Sequence, residues 1–170
     1  MACLITQNRV KGCKDAIAGM NKLYLFNDVE NPFTVVDGVC TAINPLLTVV
    51  FQYDLVGDGN TYVESMVGDR NTGTSPNTQT LTLALHKITK EDNLEFKLLV
   101  HGYPKAVVKD RMGNYLVVGI TDGIDFTVSP TTGGAKADFN GYNITGVATE
   151  SALSPFLDSA TTSAFLALVD

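Results

Sequence analysis

Along most of the chain, apolar residues alternate with polar ones over short stretches, and Gly, Asn, Asp and Pro separate one stretch from the next. A period of two is the signature of a half-buried strand, because successive side chains leave opposite faces. Met20–Phe26 reads as a strand with Leu23 and Leu25 on one face. Phe33–Val36 and Val39–Ile43 flank Asp37-Gly38, a pair suited to a two-residue hairpin turn whose central residues both need positive φ. Residues 47–56 read as one long strand, with Leu47, Val49, Phe51, Tyr53 and Leu55 on one face and Thr48, Val50, Gln52, Asp54 and Val56 on the other. Residues 78–86 repeat the pattern, with Leu81, Leu83 and Leu85 opposed to Thr80, Thr82, Ala84 and His86. These two strands are expected to be the arms of one hairpin. Between them, residues 57–77 are rich in Gly, Asp, Asn, Thr and Ser, with a strand-like piece at 61–66. A connection of that length exceeds what compact domains ordinarily use, so it is expected to be an extended loop or hairpin arm that reaches a neighbouring subunit.

One segment changes period. Thr89 is a suitable N-cap with Asp92 three residues on, and Glu91 and Asp92 suit the positive end of a helix dipole. Leu94 and Leu98, and Phe96 and Val100, recur at four-residue spacing, Gly102 stands at the C′ position, and Pro104 stops continuation. The helix is expected over Lys90–His101. Strands follow at 105–109, 114–120, 124–128 and 142–149, with a Gly/Thr/Pro loop at 129–137. The stretch 151–170 carries Leu153, Phe156, Leu157, Phe165, Leu166, Leu168 and Val169, and should pack on its own domain or on a neighbour. The expectation is a mainly β chain, a sandwich or open barrel with one flanking α-helix. It is read as one domain over residues 1–170, with an N-terminal arm of about 1–19, the long loop 57–77 and a C-terminal extension 151–170.

Composition narrows the function. Charged residues are 18% of the 170, below the usual quarter, which suits either subunit contacts or a Thr/Asn/Gly-rich β surface. The net charge of −6 and absence of a Lys/Arg cluster argue against a protein that grips phosphates. An acidic wall instead repels a polyanion and lets it slide. Cys3, Cys13 and Cys40 match no zinc or redox spacing, and their odd number fits a reducing compartment. No apolar run is long enough to span a bilayer, so no membrane is expected.

Sites for chemistry are not evident. His86 ends a strand and His101 ends the helix, where local roles suffice. Asp54, Asp58 and Asn60 around Gly57 and Gly59 lack the spacing and the final Glu of a calcium loop. Gly133-Gly134 is followed by no helix start. Asp122 with Asp125, and Glu91 with Asp92, sit where turns and helix starts favour carboxylates. No enzyme activity, cofactor or metal is expected.

Three stretches together carry a likeness. The first is Met1-Ala2-Cys3, Cys13-Lys14-Asp15 and the run GMNKLYL at 19–25. The second is the helix leading into Ala106-Val107-Val108-Lys109-Asp110, then Gly113-Asn114-Tyr115-Leu116 and Gly119. The third is Gly123-Ile124-Asp125, Gly133-Gly134 and Asp138-Phe139-Asn140-Gly141-Tyr142 ahead of a Thr-bearing strand. In this order they resemble the tail tube and tail-ring structural proteins of tailed bacteriophages, especially Bacteroidales-infecting phages of the crAss-like group. The segment 151–170 departs from that pattern by being longer and apolar. The resemblance implies a virion protein, made in the host bacterial cytoplasm. Its copies would close into rings, often hexameric, whose inner strands join into one β-barrel. Stacked rings would form a channel for DNA, in company with other phage tail and neck proteins.

The strand faces add positions to that picture. The candidate lumen set is Thr48, Gln52, Asp54, Thr80, Thr82 and His86. The candidate inter-ring contacts lie in the long loop, at Asp58, Asn60, Tyr62, Glu64, Asp69 and Arg70. The apolar set Phe51, Leu81, Leu83 and Leu85 is expected to face Leu94 and Leu98. A head–tail adaptor or connector ring, or a capsid decoration protein, is the alternative. A small hydrolase or sugar-binding module fits less well, since the chain has no Trp.

Overall fold

The computed structural model describes residues 4–170, so Met1-Ala2-Cys3 lies outside the described residues. The chain runs β1 (Met20–Phe26), β2 (Phe33–Val36), β3 (Val39–Ile43), β4 (Phe51–Asp54), β5 (Thr61–Met66), β6 (Asn77–His86), α1 (Lys90–His101), β7 (Lys105–Asp110), β8 (Tyr115–Val118), β9 (Asp125–Thr132), β10 (Asn140–Glu150), β11 (Phe156–Leu157) and α2 (Ser159–Leu166). The strands form a seven-stranded sheet in the order β2-β3-β11-β8-β7-β1-β4 and a four-stranded sheet in the order β5-β6-β10-β9.

The seven-stranded sheet is covered on both faces, and the alternation along its central strands shows why. Leu23 and Leu25 of β1, with Ala106 and Val108 of β7, face the four-stranded sheet, where they meet Leu81, Leu83, Tyr142, Ile144 and Phe96. The intervening Tyr24, Phe26 and Val107 point the other way and pack with Phe33, Cys40, Leu47, Val50, Tyr115, Val117 and Phe165. Strands buried on both faces read as near-continuous apolar runs, as Leu23–Phe26 and Ala106–Val108 do here. The Asp37-Gly38 hairpin forms as expected, with φ of 50° and 78° at the two positions.

Residues 47–56 are not one long strand. Only Phe51–Asp54 pairs, and it pairs with β1. Val50 is instead drawn into the second core by a parallel bridge to Val169, its N–H donating to the Leu168 carbonyl at 3.0 Å. The expected hairpin between this segment and 78–86 does not form either. β4 and β6 belong to different sheets, and the partner of β6 is β5, the strand-like piece within the long connection.

The helix keeps its expected bounds and its Thr89 cap, whose hydroxyl accepts from the Asp92 N–H at 3.1 Å. Its buried face differs. Phe96 stacks edge-on against Tyr142 at 4.7 Å, and the Tyr142 hydroxyl donates to Asn93 Oδ1 at 2.7 Å. That locks the 93/96/99 side inward. Leu94 and Leu98 are therefore about 60% exposed rather than packed on Leu81 and Leu83. Gly102 donates to the Leu98 carbonyl but keeps a negative φ of −93°, so it closes the helix without the left-handed cap.

The segment 151–170 is no loose extension. Its β11 sits between β3 and β8, and α2 lays Phe165 into an aromatic cluster with Tyr24, Phe26 and Phe33. Among the described residues, α1 is thus the flanking helix expected, and α2 is a second helix within the segment 151–170.

Candidate functional site

With the seven-stranded sheet covered on both sides, the four-stranded sheet is left with one inner and one outer face. Along β6, Asn77, Gln79, Leu81 and Leu83 are buried while Thr78, Thr82 and His86 are exposed. Along β10, Tyr142, Ile144, Ala148 and Glu150 are buried while Asn143, Thr145, Val147 and Thr149 are exposed. Pairing register then assembles rows across the sheet. Thr61, Thr82, Thr145 and Thr127 stand side by side on the four strands. Val63, Thr80, Val147 and Asp125 form the next row, and Ser65, Thr78 and Thr149 the one beyond. Asn143 and Ser129 continue the surface on the other side of the threonine row.

This face is hydroxyl-rich and carries no cation, because none of the four strands contains Lys or Arg. Its outward carboxylate is Asp125, since Glu64 and Glu150 turn inward. Threonine suits it on two grounds. Its β-branch fits a pleated strand, and adjacent Thr pairs stabilise a sheet by roughly 0.2–1 kcal/mol each.

The inner side of the same sheet is pinned by polar side chains. Gln79 accepts from the Gly119 N–H and donates to Ser154 Oγ, both at 2.9 Å, which ties β6 to the turn after β8 and to the crossing into β11. Glu150 accepts from the Thr121 N–H at 2.8 Å. Ser154 also donates its N–H to Glu64 at 3.0 Å, and its hydroxyl meets that of Tyr62, which donates to Glu64. Burial and the Glu64 hydrogen bond push the Tyr62 hydroxyl pKa well above its usual value. Asn60 is buried just before β5 begins. Its Oδ1 takes the Ala84 N–H at 3.0 Å in place of the next backbone rung, and its amide donates to the Val56 carbonyl at 3.1 Å.

The expected lumen set therefore divides. Thr80, Thr82 and His86 lie on the outer face, whereas Gln52 and Asp54 are on edge strand β4 of the other sheet and Thr48 is in the irregular stretch before it. The physical reason is the missing β4–β6 hairpin. Thr61, Thr127 and Thr145 complete the face and lie far from Thr82 in sequence, so local alternation could orient each strand but not assemble the row.

The expected inter-ring set divides as well. Asn60, Tyr62 and Glu64 serve the chain's own packing, as just described. Asp69 and Arg70 stand exposed at the tip of the β5–β6 hairpin, which is closed by Asp69–Thr74 pairing and an Asn71 N–H donated to Asp69. Asp58 is exposed at the start of the arm, 3.6 Å from the Arg111 guanidinium. Among the described residues, no helix is long and apolar enough to cross a membrane. Comparison of the chain with protein-family models, with curated proteins and with solved structures finds no match.

Proposed function

We propose that copies of this chain close into rings lined by the outer face of β5-β6-β10-β9, and that stacked rings form a tail-tube or tail-ring channel through which phage DNA passes without specific binding. The observation that carries the reading is a hydroxyl-rich, cation-free sheet face open along both β5 and β9. Open edges with unpaired N–H and C=O groups favour pairing with another chain, and a closed ring satisfies both edges of this sheet at once. Pro130 in β9, a residue that edge strands tolerate and central strands do not, lacks an N–H, so β9 can offer a neighbour's β5 at most one donor fewer than its length allows. Six copies would contribute 24 strands. At about 4.8 Å between strands and a tilt of about 40°, such a barrel has a backbone diameter of about 50 Å, wide enough for a DNA duplex after side chains are added. A wall of threonines with an occasional carboxylate offers phosphates nothing to grip. The hairpin tip with Asp69 and Arg70 is the part of the long connection free to touch the next ring. A virion role of this kind is structural and needs no catalytic group.

Electron microscopy of concentrated protein tests the reading. Rings and hollow cylinders are expected. A monomer that persists at high concentration overturns it, and rings that never stack favour a connector ring instead. Placing lysines on the wall by Thr82→Lys and Thr145→Lys should make assembled cylinders retain DNA in a salt-dependent way. Unchanged DNA behaviour would remove this face from the lumen.

A further inference from the structure

A second unsatisfied surface lies at one edge of the seven-stranded sheet. β4 ends the seven-stranded sheet, and beside it α1 leaves a groove of 360 Å³ lined by Phe51, Tyr53, Leu98, Leu99, Tyr103 and Leu25. Phe51, Leu98 and Tyr103 are 43%, 58% and 63% exposed, and Leu94 next to them is 60% exposed. So many large apolar side chains around one open strand edge mark an interaction site rather than scattered surface residues. Leu168 and Asp170 occupy that edge only at Val50, leaving Phe51–Asp54 open to another strand. The helix side of the groove is acidic: Glu95 lines it, and Asp92 with Glu95 lies close enough to add to burial in raising the Tyr53 hydroxyl pKa, while Asp28, also in the lining, is already ion-paired to Lys105 at 3.1 Å.

The chain carries a segment of matching chemistry. Residues 4–19 form no helix or strand. Leu4, Ile5, Val10 and Ile17 are 61–97% exposed along it, with Arg9, Lys11 and Lys14 set against a lone Asp15. It is therefore apolar and basic where the groove is apolar and acidic.

We propose that residues 4–17 of one copy dock as an added strand along β4 of a second copy, with the arm's apolar side chains in the groove between β4 and α1. Fully extended, the arm reaches about 45 Å from Ala18, enough to cross to a neighbour. Main-chain hydrogen bonds to the β4 edge would give affinity, while alternate side chains in the groove would give register. Lys11 and Arg9 would face Glu95 and Asp92, so the contact should weaken as salt rises. The contact needs a second copy but no closed ring, and it uses the edge that the channel wall does not.

Disulfide trapping tests it. In a Cys3→Ser, Cys13→Ser background, full-length chains bearing Ile5→Cys or Val10→Cys are mixed with chains bearing Leu98→Cys and oxidised. Docking between copies predicts disulfide-linked heterodimers as the dominant product, lost when Lys11→Glu is added and recovered with Glu95→Lys. Heterodimers no more abundant than homodimers overturn the proposal. So does a chain carrying both cysteines that closes on itself without dimer, since the arm then folds onto its own groove. Rings that assemble without the crosslink would sink this contact and leave the channel standing. Crosslinked dimers that never form rings would do the reverse.

Discussion

Replacing Phe165 by alanine asks whether residues 151–170 belong to the core. Phe165 is fully buried, with ring centroids 5.6 Å from Tyr24, 6.0 Å from Phe33 and 6.4 Å from Phe26. Phe→Ala in a core costs about 3–5 kcal/mol, and three aromatic partners place this site toward the upper end. An unfolding entropy of about 2.1 cal/mol/K per residue gives a chain of this length about 0.36 kcal/mol/K. The midpoint of thermal unfolding should therefore fall by about 10 °C in a calorimetric or circular-dichroism melt. Leu166→Ala on the same helix removes a side chain that is 37% exposed and should cost under about 1 kcal/mol, a shift of less than about 3 °C. A Phe165→Ala protein that melts within that smaller range would refute the placement of α2 against the seven-stranded sheet. It would return the segment to the role of an extension free to bind a neighbour.

Other outcomes follow from single groups. In a Cys3→Ser variant, Cys13 is exposed and should react promptly with a thiol reagent at pH 8. Cys40, fully buried with its pKa pushed to about 12 by burial and then by Asp158, should react only after unfolding. Tyr62 and Tyr24 both have raised pKa values, Tyr24 to about 12 from burial and the neighbouring Tyr115. A raised folded-state pKa gives stability that is complete below the unfolded value of about 10 and is lost as pH climbs through the folded value. Denaturant midpoints should thus fall steadily above about pH 10, and Tyr62→Phe should flatten that slope. Gly123→Ala should destabilise by about 2–4 kcal/mol in urea unfolding, because its φ is +83° and a Cβ would sit 2.7 Å from the Tyr103 carbonyl oxygen. Deleting residues 69–74 should leave the melting curve of the chain within about 1 kcal/mol of the parent, since that tip makes turn contacts only, while abolishing any stacking of rings.

Elements governed by near neighbours could be read from the chain alone. β1 follows its own alternation, the β2–β3 hairpin follows the positive φ of Asp37 and Gly38, and α1 follows the Thr89 cap and the Pro104 stop. Elements governed by distant partners could not. Residues 47–56 alternate well enough for a ten-residue strand, but Val50 answers to Val169 and pairing with β1 starts only at Phe51. β11 is two residues long and exists because β3 and β8 leave a slot for it. Which side of α1 is buried depends on Tyr142, and the apolar count of its faces pointed elsewhere. The candidate wall shows the same division: alternation correctly set Thr80, Thr82 and His86 outward, but only long-range register could join them to Thr61, Thr127 and Thr145 and part them from Gln52 and Asp54.

The outer face of the four-stranded sheet contributes almost nothing to either core, because each of its threonines has its back to the packed side chains. Folding and surface chemistry are thus written on alternate letters of the same strands. Substitutions at Thr61, Thr82, Thr127 or Thr145 can drift, or be engineered, toward a wider, stickier or more strongly charged wall while the two cores beneath keep their packing.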